Sequence, residues 1–457
     1  MTTLAQDAPL TLQAGHLVDR RQDRLLQLFL ATYVLTVCTG AIRKWLFPSM
    51  TALYFLQDLP ILAAYVYAFR YKLYKNGPVA WGIAIISALL LGQSLIQFAV
   101  LNLQLKIAVV GYHAYLFYLP MLIIFPLAMD ARGRSRYIRW YLLANIPMSV
   151  LAVLQSRASA GSFLNRTTGA KGFGGLGGDL ARVSGTFNFA AFYAIWLSFC
   201  FAFAVSEWLL PQYRRSIQNR AVLLASTLGS LLSLAVSGER GAVGSALIAM
   251  TGVAVVAALL KNYRALLIVA VLVMSAPVTV GLAALVSPRM LTGFENRFTN
   301  THNVNMTKVR ILNLMASFIP QTSDPVGMGL GYGVDGSHAG EVGSYEFTYQ
   351  LSETDLARNL LELGVVTGSF YVAWRMFFCL GLVLISFKLA VDNISPHALP
   401  LSLLIFGQSY VGDWTRNSTM STTQDFLVAC FVLGAFYFRD YDIPGISEET
   451  PFATRYA

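Results

Sequence analysis

The residues with the densest chemical potential lie in Ser352-Glu353-Thr354-Asp355-Leu356-Ala357-Arg358-Asn359-Leu360-Leu361-Glu362-Leu363-Gly364. Asp355, Arg358 and Glu362 stand at i, i+3 and i+7, so a helix would carry them on one face. Carboxylates beside a guanidinium could take up a proton and hold an anion. The same segment also reads as a plain helix start. Ser352 would be its N-cap, Asp355 sits three residues on, and acids suit the positive end of the helix dipole. Capping accounts for Ser352 and Asp355. It does not account for Arg358 and Glu362, because they continue the polar face away from the start.

Three other places offer cations. Ser237-Gly238-Glu239-Arg240-Gly241 is a tight turn whose glycines let the backbone fold sharply. It would fix Arg240 at a membrane surface, where it could grip a phosphate bidentately or simply snorkel to headgroups. Arg182-Val183-Ser184-Gly185-Thr186-Phe187-Asn188 presents Arg182 as a substrate arginine or an interfacial anchor. Lys308-Val309-Arg310-Ile311-Leu312-Asn313-Leu314-Met315 reads as a short amphipathic helix with a basic start. The run Gly327-Met328-Gly329-Leu330-Gly331-Tyr332-Gly333 invites a phosphate-loop reading, but no Lys-Ser/Thr follows. A flexible turn is the better expectation for it. Asp413-Trp414-Thr415-Arg416 reads as a structural charged turn, an ion pair beside a tryptophan.

The elements that must position these residues are set by composition. Hydrophobic residues make up 56% of 457 residues and charged ones 12%, and mean hydropathy is +0.57. Soluble domains carry about 25% charged residues, so half the polar cover is missing and a membrane is implied. A span needs roughly 20 apolar residues. That ruler gives 25–42, 51–69, 79–101, 107–128, 138–155, 187–206, 221–236, 242–260, 265–286, 361–387, 398–411 and 420–438, an all-α polytopic chain of about 12 helices. Arg375 falls deep in the tenth, where a charge costs about 2.5–3.5 kcal/mol, so it should face the bundle interior. The polar first 24 residues show no cleavable leader, so 1–24 reads as a tail and the first apolar run as an anchor. Cys38, Cys200, Cys379 and Cys430 all fall in apolar runs and read as small buried hydrophobes. No Cys/His cluster has metal-binding spacing, so no metal or other cofactor is expected.

Lys and Arg set the orientation. With the N-terminus in the cytoplasm, eighteen basic residues fall in the segments on that side. The short turns opposite hold only five: Arg43, Lys44, Lys106, Arg240 and Arg416. Both termini, including the 439–457 tail, are therefore expected inside. The long segments 156–186 and 287–360 are expected outside, where loops and helix ends would form the site.

In order and spacing, four patterns resemble the O-antigen ligase and polymerase superfamily of bacterial envelope enzymes. They are Arg182-x-Ser184-Gly185-Thr186-Phe187, Ser237-Gly238-x-Arg240-Gly241, Arg310 ahead of the glycine run at 327–331, and Glu362-Leu363-Gly364 followed by Gly368. Ligases of that family carry a histidine nine residues before the Glu-x-Gly pattern. Here that position is Glu353, which looks like the exopolysaccharide-polymerase branch. The resemblance implies a GT-C-like membrane fold in a bacterial inner membrane and a metal-independent glycosyltransferase. Its donor would be an undecaprenyl-pyrophosphate-linked oligosaccharide, polymerised outside the cytoplasm. Other polysaccharide-assembly proteins would be its partners, and nucleic acid would not. Arg182, Arg240, Arg310 and Arg358 would hold the pyrophosphate. Glu353 or Asp355 would be the base, a choice the sequence leaves open. Transfer to lipid A-core by a ligase is the alternative within the class. A lipid-linked oligosaccharide flippase or ion-coupled transporter is the alternative outside it, and would call for ionisable residues at midplane depth.

Overall fold

The computed structural model describes residues 8–166, 175–177, 180–210, 217–288, 324–334, 354–412, 414–415 and 420–439. Apart from one short antiparallel pair, β1 (Gly175–Gly177) with β2 (Leu180–Ala181), the regular structure among them is helical. The helices are α1 (Ala8–Ala41), α2 (Asp58–Tyr71), α3 (Pro78–Leu101), α4 (Leu105–Tyr112), α5 (Met121–Ile124), α6 (Ala131–Arg157) and α7 (Ala190–Glu207). They continue with α8 (Ile217–Val236), α9 (Arg240–Leu259), α10 (Tyr263–Val286), α11 (Asp355–Leu363), α12 (Val365–Val391), α13 (Ala398–Val411) and α14 (Ser421–Tyr437).

Nine helical runs among the described residues are long and apolar enough to cross a membrane. The protein is a multi-pass α-helical membrane protein. The runs expected at 51–69, 398–411 and 420–438 contain shorter helices of 14, 14 and 17 residues. At 1.5 Å per residue these rise only about 21–26 Å, less than a full hydrocarbon core. The tenth expected run is interrupted. Gly364, with φ +75°, ends α11 and begins α12. A Cβ there would lie 2.2 Å from the Pro325 carbonyl oxygen.

Burial separates the centre from the lipid face. Positions along α7, which is apolar nearly all round, and the first fifteen residues of α14, whose first turn is polar, are buried almost without interruption. α3 and α10 instead turn Leu95, Val271, Met274 and Leu285 outward. Small residues let neighbours approach closely. A Cβ on Gly252 of α9 would sit 2.8 Å from Pro400 Cα of α13. Buried polar groups bridge helices too: Asn145 of α6 donates to Ser226 O and to Ser230 Oγ of α8, both at 2.7 Å.

Candidate functional site

α11 begins one residue after its N-cap, Thr354, so Asp355 is the first helical residue. The expected cap, Ser352, lies outside the described residues, as does Glu353. Asp355 does more than a capping acid would. Its carboxylate points into the bundle and pairs with both Arg358 and Arg375. It also accepts from Trp414 N at 3.1 Å and from Thr415 Oγ1 at 2.9 Å. Arg375, the charge expected to face inward, does so: it is wholly buried, stacks its guanidinium 4.6 Å above the Trp414 ring, and donates to Ser409 Oγ at 3.0 Å.

Glu362 closes the other end of the cluster. Gly331 N and Gly333 N donate to its two carboxylate oxygens at 3.1 and 3.0 Å. Tyr115 Oη adds a bond of 3.1 Å, and Arg358 Nε lies 3.2 Å away. The glycine run expected to be a flexible turn is therefore an anion cradle, and the anion is the chain's own glutamate. Gly327, Gly329 and Gly331 all have positive φ. A Cβ on Gly331 would meet Ile107 O at 2.4 Å. Gln97 of α3 ties the cradle down, donating to Glu362 O and Val326 O and accepting from Leu330 N. Met328 N and Gly329 N complete the seam to Leu361 O and Glu362 O.

Two of the expected site residues thus take other roles. Asp355 and Arg358 are each 1% exposed. Arg358 lies between two carboxylates, which neutralise the charge a pyrophosphate would need. Burial pushes the Asp355 carboxyl up, but the Arg358 and Arg375 guanidinium groups and the Thr415 hydrogen bond outweigh it. Its pKa therefore lies below the ordinary carboxylate value. A sealed, low-pKa carboxylate is poorly suited to accept a proton from a substrate hydroxyl. The cluster of two arginines and two acids instead fixes the start of α11.

The other arginine pair is more open. Arg182 and Arg240 are both partly buried. Val183 N donates to Ser237 O at 3.3 Å, and Arg182 forms an ion pair of 3.1 Å with Glu239. Two motifs 57 residues apart in the chain are thereby joined. Gly238, with φ +70°, makes the sharp turn the sequence calls for. Behind them stands Lys44, which the charge pattern marks only as one more loop cation. It is fully buried and donates to Ser184 Oγ at 2.8 Å and to Gly185 O and Phe187 O, each at 2.9 Å. Gln155 clamps Gly185 from the other side, donating to its carbonyl at 2.9 Å and accepting from its N–H at 2.8 Å.

Helix register relates the two clusters. Gly252 of α9 abuts Pro400 of α13, and Ile248 abuts Gly407, so the two helices run antiparallel. Following that register upward from Ile248 brings Arg240 to the height of Trp414 and Thr415, which bind Asp355. The arginine turn and the acid-arginine cluster therefore share one end of the bundle. Arg310, the Lys308–Met315 segment, Asp413 and Arg416 lie outside the described residues.

Sequence reasoning missed further buried polar groups. Asp58 is 2.8 Å from His113 Nε2 and accepts from Tyr118 Oη at 2.7 Å. Both carboxylate oxygens of Asp425 in α14 are buried without a partner among the described residues. Their signal in the sequence is slight: Asp58 and Asp425 each stand beside a glutamine at the edge of an apolar run. The cysteines follow expectation: all four are free, and three are buried. No family model matches the chain, and neither curated proteins nor solved structures give a match.

Proposed function

We propose that the protein is a membrane glycosyltransferase that polymerises undecaprenyl-pyrophosphate-linked oligosaccharide repeat units at the outer face of a bacterial inner membrane. The observation that carries the reading is the junction of Arg182-x-Ser184-Gly185-Thr186-Phe187 with Ser237-Gly238-x-Arg240-Gly241, at the same end of the bundle as α11. These motifs carry the sequence resemblance, and in the fold they put two guanidinium groups on adjoining turns. The Lys and Arg count assigns that end to the outside.

In this reading Arg182 and Arg240, with Arg310, neutralise the pyrophosphate. Glu353 precedes the anchored start of α11 by two residues and is the base. An acceptor hydroxyl oxygen attacks the anomeric carbon, its proton passes to Glu353, and the bond from that carbon to the pyrophosphate oxygen breaks. Undecaprenyl pyrophosphate leaves, and the glycan gains one repeat. Asp355 and Arg358 hold the helix and touch no substrate. The test is the lipid fraction of a strain lacking the gene. Single lipid-linked repeat units should accumulate while long polymer disappears. Polymer of normal length in that strain would overturn the assignment.

A further inference from the structure

Arg43 and Lys44 are consecutive residues in one turn of π-helix, Ile42–Leu46, that continues α1 at the end of the bundle carrying the Arg182 turn. Their side chains part. Lys44 turns inward to Ser184, Gly185 and Phe187, which fixes the turn against the Arg182 motif. Arg43 turns to Tyr54, whose ring centroid lies 5.2 Å from the guanidinium carbon. The Arg43 Nε is buried without a hydrogen-bond partner among the described residues, and no carboxylate among them pairs with it. The two terminal nitrogens are neither bonded among those residues nor sealed, and the side chain is partly exposed. Arg182, Arg358 and Arg375, by contrast, each have a carboxylate. Around Arg43 the surface is apolar: Leu46, Phe47, Met50 and Phe55 all stand exposed.

A guanidinium taken partly out of water without a counter-charge is costly, and stacking on one tyrosine offsets little of that. Two open N–H ends side by side fit two oxygens of one phosphate, which reaches them end-on and needs no access to Nε. The exposed apolar flank says how that phosphate arrives. It comes on a lipid, whose chain stays in the bilayer while its headgroup meets the helix end. The proposed reaction brings two lipid-linked pyrophosphates together. The donor's leaves and the acceptor's stays, so both must be held at once, and two anions that repel each other need separate cations.

We infer that Arg43, backed by Tyr54, is a second site for a lipid pyrophosphate, and that it holds the acceptor while Arg182 and Arg240 hold the donor. The binding site follows from the open guanidinium and its apolar flank; the acceptor role rests on the polymerase reading. Lys44 fixes the spacing of the two sites, since it anchors the Arg182 motif from the residue next to Arg43.

Native mass spectrometry of the purified full chain in detergent, with undecaprenyl pyrophosphate as the probe, counts the sites. The native chain should bind two molecules. Arg43→Gln should hold the second about tenfold more weakly, the equivalent of one charge-assisted hydrogen bond. Should that variant not fold, Arg43→Lys serves: it keeps the charge, loses the planar fork, and should also weaken the second molecule. One molecule on the native chain, or two held as tightly by a folded variant, would overturn the inference. Phosphatidylglycerol at equal concentration should fail to displace the second molecule. Displacement would overturn the pyrophosphate source and make Arg43 an anchor for bulk phospholipid. Chain growth in liposomes separates this inference from the polymerase reading. Arg43→Gln should need about tenfold more lipid-linked repeat unit than the native chain, and then reach native length. Native-like growth by that variant at limiting repeat unit would overturn the acceptor site while the polymerase reading stands. Two bound molecules and no growth by the native chain would overturn the acceptor role and the polymerase reading, and leave Arg43 as a lipid-pyrophosphate binding site alone.

Discussion

Replacing Asp355 by asparagine tests whether this acid is a helix cap, a base or the keystone of a buried cluster. The cluster holds two guanidinium groups, Arg358 and Arg375, and two carboxylates, Asp355 and Glu362, all at most 1% exposed. Its formal charge is zero. Asparagine would leave one positive charge uncompensated and set an amide N–H₂ against groups that are themselves donors. A lost capping interaction costs about 1 kcal/mol. Breaking a buried ion pair on one side costs about 3–5 kcal/mol, because the partner stays buried and unpaired. Costs so different can be told apart by denaturation. Asp355→Asn should cut the yield of monodisperse protein in detergent and lower its resistance to denaturant several-fold more than a cap would. What protein does fold should retain activity per molecule, since the carboxylate touches no substrate. Acid gives a second reading. The folded pKa of Asp355 is depressed, so its stabilisation is complete above its unfolded value, about 3.9, and is lost as pH falls through the folded value. That share of acid sensitivity should be missing in the variant. Native stability in Asp355→Asn, or full stability with no activity, would refute the structural role of this carboxylate.

Other predictions concern the open arginine pair and its supports. Glu353→Gln should leave the protein folded and block chain growth, with single lipid-linked repeats accumulating; normal polymer from this variant would remove Glu353 as the base. Arg240→Lys keeps the charge but loses the planar fork, so polymer yield at equal protein level should fall substantially. Lys44→Met should impair both stability and activity, as Ser184 Oγ and Phe187 O lose the lysine donor and Gly185 O is left with Gln155. Native-like melting and polymer yield in that variant would show that the Arg182 turn holds without it. Gly331→Ala should be strongly destabilising, because it adds a side chain at φ +91° and within 2.4 Å of Ile107 O; native melting behaviour would argue against the glutamate cradle.

The helices were legible because a run of apolar residues long enough to span a bilayer is rarely stable anywhere else. The inward aim of Arg375 was legible for the same reason: its desolvation cost demands a partner. What the sequence hid were the partners themselves. Gly331 and Glu362 lie 31 residues apart, and nothing local marks a backbone cradle as already filled by a side chain. Asp355 satisfied the local grammar of a capped helix, yet a tertiary network claimed its carboxylate. Lys44 looked like one more charge beside a turn, since its nearest acceptor in the chain, Ser184, lies 140 residues further on. Charge counting sees a residue's sign, and burial decides its role.

The central claim is that this chain itself lengthens a lipid-linked glycan, and reconstitution tests it most directly. Purified protein in liposomes would be given its undecaprenyl-pyrophosphate-linked repeat unit, with no nucleotide sugar. A polymerase should yield a ladder of glycans at integer multiples of the repeat, one undecaprenyl pyrophosphate released per linkage formed, and no ladder from Glu353→Gln. Movement of the intact donor across the bilayer with no ladder would contradict that claim and make the protein a transporter.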